Sequence, residues 1–307
     1  MPQNEYPLFD DSNLRGEFLR IFDEISNKSF LNELAMYIDS NSEAEDLGWL
    51  GSLPVLTPWD GERTFSQMNE YTWRIYNEQF QAGLQIKKLT IDRDKLNAFL
   101  PKVAMFGERA AQNPMKLAGQ LLLNSETQAC YDGVSFFSPQ HPIAPGATTY
   151  NNNDITFSVQ NPTSPTVTEV SDSILKGISQ LSTFRDDQGE PVNQGITSVK
   201  VICSPLLFDR VLGALSNKLI GGGNDNTISN SNIKITMHSE PRLTTWVDKI
   251  AVMETSSFSK PFIHQVEQET DFVSVYDPLN KVYKWGVDRS EAVAFGDYKK
   301  SVLITYQ

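Results

Sequence analysis

The stretch from Leu89 to Pro142 constrains the fold of this 307-residue chain most, because it carries the longest helical pattern. Apolar or small residues recur there at alternating intervals of four and three: Val103, Gly107, Ala110, Pro114, Leu117 and Leu121. That spacing predicts one wide apolar face on a helix. Pro101 suits the first turn, and Asn113-Pro114 predicts a kink or a short break. We therefore expect a long, bent helix whose small residues let another backbone approach closely.

The segments on either side of this helix are distinctive as well. Leu89–Arg93 is predicted to be a strand, with Asp92 or Asp94 placed to cap the helix. Two carboxylates this close in sequence could act as acid and base, but helix capping explains them better. After the helix, the chain runs through a compact cluster, CYDGVSFFSPQHP, from Cys130 to Pro142.

Composition indicates a soluble, globular and acidic protein. Hydrophobic residues make up 39% of the chain, the net charge is −12 and the pI is about 4.8. Nucleic-acid binders need clustered Lys and Arg, so this balance argues against phosphate recognition. The N-terminal residues lack the pattern of a signal peptide, and no run approaches the roughly 18 apolar residues of a membrane span. We expect an intracellular product that does not enter a membrane.

Residues 54–92 are predicted to form a long β-hairpin. Apolar and polar residues alternate in Tyr71–Tyr76 and again in Leu84–Lys88, with a turn expected at Asn77–Gln79 and a possible bulge at Gly83. A two-stranded hairpin is not stable alone, so it must lie on another surface. Either it belongs to an ordinary sheet of its own domain, or it lies on a neighbouring subunit.

The chain outside the long helix and the hairpin is read as alternating helices and strands. At the N-terminus, a helical stripe is followed by an apolar patch and an acidic linker. Further on, a flexible glycine-rich loop covers residues 221–232. The predicted elements are the helical stripe Leu14–Ile25, a strand at Ile155–Val159, a helix at Val170–Phe184, a strand at Val199–Ile202, a helix from Pro205 to Leu215, strands within 233–255, and C-terminal strands at Phe262–Ile263, Phe272–Tyr276, Lys281–Val287 and Val302–Tyr306. The C-terminal strands are expected to flank the long helix.

The reactive side chains do not form a recognisable catalytic or metal motif. Cys130, Asp132 and His141 are close enough in sequence to suggest a thiol nucleophile, but no hydrolase signature surrounds them. Cys130 is better read as a small buried residue. The three histidines are far apart and the two cysteines form no CxxC pair, so we expect no metal site and no cofactor. Gly221–Gly223 lacks the Gly-Lys-Ser/Thr of a phosphate loop.

A set of segments, in order, resembles the Mu-like major head subunit family of tailed phages. The segments are GWLG (48–51), YTWRIYNEQF (71–80), IDRD (91–94), CYDG (130–133), FF (136–137), HP (141–142), KPFIHQ (260–265), DFVSVYDP (271–278) and WGVD (285–288). They cover roughly residues 47–145 and 199–300. The resemblance implies an α+β fold of the Hong Kong 97 capsid type.

The resemblance also implies a division of the chain into parts and predicts which residues contact neighbouring subunits. The expected parts are an N-terminal arm (1–53), an extended β-hairpin loop (54–92), a peripheral domain with the long spine helix (93–165), an axial domain (166–260) and return strands of the peripheral domain (261–307). In the family the arm and the hairpin lie on neighbouring subunits, although an amphipathic helix can equally pack on its own domain. Aromatic residues in both are expected to contact neighbours: Phe18, Phe22, Trp59, Trp73, Tyr76 and Phe80.

The implied function is that of a major capsid protein without enzymatic activity. Its copies would form hexamers and pentamers of an icosahedral head around double-stranded DNA, without reading its sequence. Scaffold and portal proteins are expected partners, a decoration protein is a further one, and assembly would occur in the bacterial cytoplasm. Two alternatives remain: an encapsulin-like compartment that encloses protein, and a hydrolase that uses Cys130.

Overall fold

The computed structural model describes residues 11–48, 59, 61, 73–93, 99–220, 223–228 and 231–307, with the backbone alone at 11–13, 92, 220 and 224. The α-helices are α1 Asp11–Asn27, α2 Leu31–Leu34, α3 Lys88–Arg93, α4 Leu100–Ala111, α5 Asn113–Leu123, α6 Val167–Leu181 and α7 Phe208–Ser216. The strands are β1 Ala35–Asp39, β2 Ala44–Leu47, β3 Trp73–Tyr76, β4 Glu78–Lys87, β5 His141–Pro142, β6 Tyr150–Asn151, β7 Asp154–Phe157, β8 Ser198–Cys203, β9 Leu219–Ile220, β10 Asn224–Asp225, β11 Lys234–Ser239, β12 Lys249–Glu254, β13 Phe262–Asp277, β14 Val282–Phe295 and β15 Ser301–Tyr306.

A five-stranded sheet in the order β11–β8–β12–β15–β7 forms one half of the molecule. Its central strands are apolar at nearly every position because both faces are covered. Val201, Val252 and Ile304 face a core shared with α6 and α7, while Ala251 and Leu303 face a second core. These strands are therefore continuous apolar runs in the sequence, although in the structure successive side chains point alternately into the two cores.

Helix α6 lies on this sheet through a glycine. Thr166 and Glu169 form a capping box that fixes where the helix begins. A Cβ added at Gly177 would lie 2.9 Å from Cδ1 of Ile304 and 3.0 Å from Cγ2 of Val252, so the helix backbone is close to the sheet. The predicted helix at Val170–Phe184 is confirmed, beginning three residues earlier.

The other half is a four-stranded sheet in the order β1–β13–β14–β4. Strands β13 and β14 form a long antiparallel hairpin, with register shifts between Val266 and Asp271. Strand β1 pairs only with the first part of β13, from Phe262 to Val266, and β4 pairs with β14 from Val282 to Glu291. The distal part of this sheet therefore has three strands, β13–β14–β4.

The long helix is broken, as its proline predicts. Helix α4 ends at Ala111 and α5 begins at Asn113, whose side-chain amide donates to Oε1 of the buried Glu291 on β14 at 2.8 Å. The expected strand at Leu89–Arg93 is wrong, since this segment forms α3. The capping role expected of Asp92 is wrong too, because Asp92 lies within α3 and α4 begins at Leu100 after Phe99, while Asp94 lies outside the described residues.

The predicted hairpin between Tyr71–Tyr76 and Leu84–Lys88 is wrong in its pairing. The chain is extended on both sides of Asn77, but β3 pairs with β2 and β4 pairs with β14. The Asn77 amide nitrogen donates to the carbonyl of Glu43 at 2.8 Å, and its side chain donates to the carbonyl of Ser42 at 2.9 Å, so this residue joins two sheets and is no hairpin turn. The expected bulge at Gly83 is wrong, since β4 pairs with β14 without a register shift. Part of the predicted hairpin, residues 54–58, 60 and 62–72, lies outside the described residues.

The last strand also differs from expectation. Leu303 of β15 shares a core with Leu121 and Leu122 of α5, as expected of a strand that flanks the long helix, but β15 pairs inside the five-stranded sheet between β12 and β7 and not with the other C-terminal strands. Five of its six residues are buried, and only a strand covered on both faces can bury them. The five-stranded sheet thus recruits β7 and β15 from outside residues 166–260, while the remaining boundaries predicted for the parts stay predictions.

Candidate assembly surfaces

Two of the residues predicted to contact neighbours are buried within their own subunit. Phe18 is fully buried and Phe22 is 8% exposed, and both belong to a core with Trp285 and Val287 of β14. The ring of Phe18 lies 4.9 Å from that of Phe272. In the described structure, helix α1 packs on its own domain, so the expectation that these two side chains serve a neighbour is corrected.

Three other predicted contact residues come together at one cleft. Trp73, Tyr76 and Phe80 line a cleft of about 450 Å³ between the β3–β4 junction, helix α5 and strand β14. Tyr76 is 61% exposed, whereas Trp73 and Phe80 are half-buried. Nε1 of Trp73 is buried and finds no acceptor among the described residues. Trp59 is separate from this cleft and 72% exposed.

The β2–β3 ribbon holds the rim of this cleft in place. Arg74 donates from Nε and Nη2 to the two carboxylate oxygens of Asp46 at 2.7 and 2.5 Å. Because Arg74 stabilises the charged form, the pKa of Asp46 lies below its usual range. Gln265 on β13 donates to Oδ1 of Asn77 at 3.0 Å, so the ribbon is anchored to the four-stranded sheet.

A second surface with exposed apolar residues lies in the half built on the five-stranded sheet. The buried face of α7 contributes Val211 and Ala214 to the core. Large apolar side chains on or beside α7 remain exposed: Leu206 at 59%, Phe208 at 44%, Leu212 at 43% and Leu219 at 57%. Exposed apolar residues gathered in this way are typical of protein contact surfaces.

The Cys130, Asp132 and His141 arrangement is structural and unsuited to nucleophilic chemistry. His141 is fully buried, with Nδ1 2.6 Å from Oδ2 of Asp132 and Nε2 3.2 Å from the carbonyl of Phe136. Both ring nitrogens are therefore occupied. Cys130 donates to the carbonyl of Gly296 at 3.4 Å, and burial, together with the charge of Asp132, raises the pKa of its thiol. A buried thiol held as the neutral form is a poor nucleophile.

The other two histidines also face carboxylates. His238 lies 3.5 Å from Glu240, and His264 lies 2.7 Å from Glu291. Burial by itself would raise the pKa of Glu291, but the hydrogen bond from His264 and the charge of Arg289 outweigh it, so this pKa is lowered. These pairs lie in separate parts of the fold, and the described residues contain no group of three or more side chains placed to hold a metal ion.

None of the helices in the described part of the chain has both the length and the apolar character needed to cross a bilayer.

Comparison with known proteins places the chain in a family. Residues 12–164 match the family model described as Mu-like prophage major head subunit gpT. Over 114 residues the chain is 36% identical to the major capsid protein of Escherichia phage Mu, and over 111 residues it is 30% identical to the Mu-like prophage FluMu major head subunit of Haemophilus influenzae. The chain belongs to the Mu-like major head subunit family. This confirms the predicted resemblance, and the family is one of structural proteins.

The extent of the likeness differs between sequence and structure. The two sequence matches span 37% and 36% of the chain, and the same shares of the curated relatives. The procapsid structure of bacteriophage JBD30 matches over 96% of this chain and 75% of that chain, with 19% identity and a TM-score of 0.55. At this identity the likeness concerns the fold, which is the predicted α+β fold of the Hong Kong 97 capsid type.

Sequence reasoning missed the buried charges that link the sheet to the spine. His264 lies on β13, and Arg289 and Glu291 lie on β14. The alternation of residues along a strand predicts only which face of the sheet each side chain occupies, and not its partners. Glu291 receives contacts from β13, from its own strand and from Asn113 on α5. No local signal in the sequence identifies partners that are 27 and 178 positions apart.

Proposed function

We propose that this chain is the major capsid protein of a tailed bacteriophage or prophage. Many copies would assemble into hexamers and pentamers that close into an icosahedral head around double-stranded DNA. The observation that carries this proposal is the capsid-type fold over 96% of the chain, combined with membership of the head subunit family. The proposal assigns the chain no catalysis, and the buried, neutral Cys130 supports that assignment.

The proposed partners follow from the proposed role. The main partner is the chain itself, and scaffold and portal proteins would direct closure of the shell, with a decoration protein as a further partner. Assembly would take place in the cytoplasm of the host bacterium, and the product would be part of the virion. A net charge of −12 suits a container that encloses DNA without holding it to the wall.

The surfaces proposed for contact are those that the subunit leaves exposed. Trp59 and Tyr76 are large aromatic side chains that the described fold does not bury, and Tyr76 lies at the rim of the cleft beside Trp73. Aromatic residues are enriched in the cores of protein interfaces and often dominate their energetics.

The test combines electron microscopy with size-exclusion chromatography of the purified chain, alone and co-expressed with scaffold and portal proteins. We expect shells, rings or tubes from the wild type. The variant Trp59→Ala/Tyr76→Ala should remain a folded subunit, since both side chains are exposed, yet give at least tenfold fewer assemblies. Leu279→Ala, which removes an even more exposed side chain at the tip of the β13–β14 hairpin, is the matched control.

Two outcomes would contradict these assignments. Normal shells from the double variant would show that Trp59 and Tyr76 are not contact residues. A wild type that stays monomeric even with scaffold and portal proteins would contradict the capsid proposal itself. The contents of the shells distinguish the capsid proposal from the encapsulin-like alternative. We expect extracted shells to contain DNA, and a protein cargo would favour an encapsulin-like compartment.

A further inference from the structure

Three buried polar side chains meet where the loop after α6 passes the start of β15. They are Asn193 in that loop, Glu254 at the end of β12 and Lys300 immediately before β15. Each of them is at most 5% exposed. Nζ of Lys300 donates to Oδ1 of Asn193 at 2.6 Å and lies 3.2 Å from Oε2 of Glu254. An amine, a carboxamide and a carboxylate are thus in contact in a site that is nearly closed to water.

The carboxamide of Asn193 is held in one orientation. Its Nδ2 donates to the carbonyls of Leu181 and Lys299 at 2.8 and 2.7 Å. Because both amide hydrogens are placed in this way, the oxygen is the atom that faces Lys300. Cγ is bonded to that oxygen, so the carbonyl carbon and the lysine nitrogen are neighbours. Two groups positioned like this react far more readily than the same groups in free solution.

Glu254 is placed to take a proton from the lysine. Its Oε1 accepts from the Ser256 hydroxyl at 2.9 Å, while the buried Oε2 has no well-aligned hydrogen bond among the described residues. Oε2 is the oxygen beside Nζ of Lys300. A lysine attacks a carbonyl carbon only as the neutral amine, so an adjacent base is what such a reaction requires.

A second buried lysine shows how an ordinary ion pair differs from this site. Lys200 is 7% exposed, and its Nζ lies 3.0 Å from Oε2 of Glu33. The side chain of Glu33 is 50% exposed, and the pair joins β8 to α2. Lys300 contacts a carboxamide as well as a carboxylate, and both of these partners are buried. The Lys300 site therefore holds an acceptor for the amine that an ion pair does not need.

We propose that Lys300 and Asn193 form an isopeptide bond within the subunit, with Glu254 as the general base. Oε2 of Glu254 removes a proton from the Lys300 ammonium, and Nζ attacks Cγ of Asn193. The bond between Nζ and Cγ forms, and the bond between Cγ and Nδ2 breaks. The leaving nitrogen takes up the two protons that Nζ has lost and departs as ammonium, so Glu254 ends as a carboxylate. The reaction needs no further reactant.

The bond joins two segments of one chain and not two copies. Its ends are 107 positions apart, and the loop that it closes contains β8, β11, β12 and the β13–β14 hairpin. A covalent link across a long loop restricts the unfolded chain and so favours the folded one. It also fastens β15 to the loop after α6. The inference goes beyond the proposed function, because it concerns the single subunit whether or not copies assemble.

Tryptic digestion followed by mass spectrometry tests for this bond directly. Trypsin cleaves after Arg185, Lys200 and Lys299, but not after a lysine whose side-chain nitrogen is part of an amide. The proposal therefore predicts one branched peptide, residues 186–200 joined to residues 300–307, that is lighter than their sum by one ammonia. We expect this peptide to be at least tenfold more abundant than the linear peptide 301–307.

Two variants and a matched control assign the roles. Lys300→Arg keeps the charge but removes the nucleophile, and it should give no branched peptide. Glu254→Gln keeps the shape but removes the base, and it should lower the yield of the branched peptide at least tenfold. Lys200→Arg changes the other buried, ion-paired lysine and should leave that yield at the wild-type level. Circular dichroism measures whether each variant is folded.

The wild-type chain decides the proposal even if a variant does not fold. Linear peptides alone, from the unassembled chain and from assembled shells, would overturn the bond and leave the capsid proposal intact. Equal yields of the branched peptide from Glu254→Gln and the wild type would overturn the role of Glu254 as the base. A branched peptide from a wild type that stays monomeric with scaffold and portal proteins would support the bond while the capsid proposal fails.

Discussion

Glu291 shows how a single buried charge is maintained in this fold. Its side chain is fully buried, and three groups surround it: Nδ2 of Asn113 at 2.8 Å, Nε2 of His264 at 2.7 Å and Nε of Arg289 at 2.8 Å. A buried carboxylate without such partners would take up a proton. With them the pKa of Glu291 lies below its usual value, so the charged form is the stable one.

The lowered pKa predicts a stability that depends on pH. In the unfolded chain Glu291 binds a proton below about pH 4.3. Because the folded pKa is lower, its contribution is complete above that pH and is lost as the pH falls through the folded value. Glu291→Gln should therefore lower the free energy of unfolding by about 3 kcal/mol at pH 7, since it leaves buried partners unpaired. The difference in free energy of unfolding between the wild type and Glu291→Gln should become smaller in the acid range.

Urea unfolding at pH 7 and at about pH 3.5 measures this difference. Glu78→Gln, which changes an exposed carboxylate on β4, is the control and should shift the unfolding free energy little at either pH. An equal deficit for Glu291→Gln at both pH values would show that lost packing, and not the charge, explains the effect.

At the scale of elements, the fold depends on helix α1 lying close to helix α4. A Cβ added at Gly107 would lie 2.7 Å from the carbonyl oxygen of Phe18, a backbone atom that moves only with its helix. The small residues predicted for the middle of the spine thus have the role expected of them. The backbone that approaches them belongs to the chain's own N-terminal helix.

This contact predicts opposite effects for two similar substitutions. Gly107→Ala should lower the free energy of unfolding by about 1–3 kcal/mol, because the two helices must move apart. Gly16→Ala on α1 has open space around it and should leave stability unchanged or raise it by about 0.5–1 kcal/mol. Chemical denaturation of both variants beside the wild type measures the difference. If Gly107→Ala and Gly16→Ala had the same free energy of unfolding, α1 would be able to move away from α4 without an energetic cost.

At the scale of the whole molecule, the net charge distinguishes a protein that encloses DNA from a protein that binds DNA. The chain has 38 acidic and 26 basic residues. Proteins that bind DNA without specificity do so through clustered cations, with dissociation constants of about 10⁻⁴ to 10⁻⁶ M at physiological salt. We therefore expect the dissociated subunit to bind double-stranded DNA more weakly than about 10⁻⁴ M at about 0.15 M salt.

An electrophoretic mobility assay with the unassembled chain tests this expectation. A 200-base-pair fragment should migrate unchanged, while the same fragment with a basic DNA-binding protein should be retarded. A retarded band at about 10 μM of the chain would contradict the expectation that the subunit does not bind DNA. It would instead indicate a local basic surface that the total charge conceals.

The sequence by itself determined the elements whose signals are local. The apolar stripe and Asn113-Pro114 predicted a bent spine, and the spacing at Val170–Phe184 predicted α6. The ordered motifs predicted the family and its fold, which the comparisons confirm. Helix periodicity and proline act within a few residues, so the chain shows them without its partners.

Only the tertiary structure decided which strands pair and which faces are covered. The alternation in Tyr71–Tyr76 and Leu84–Lys88 predicted strands, and the structure has strands at Trp73–Tyr76 and Glu78–Lys87. Their partners are nevertheless β2 and β14, and β15 joins the five-stranded sheet and not the sheet of β13 and β14, which precede it in the chain. Phe18 likewise reads as an exposed arm residue until Phe272 is seen against it. Strand pairing and burial depend on contacts across hundreds of positions, because a two-residue period fits any partner of suitable length.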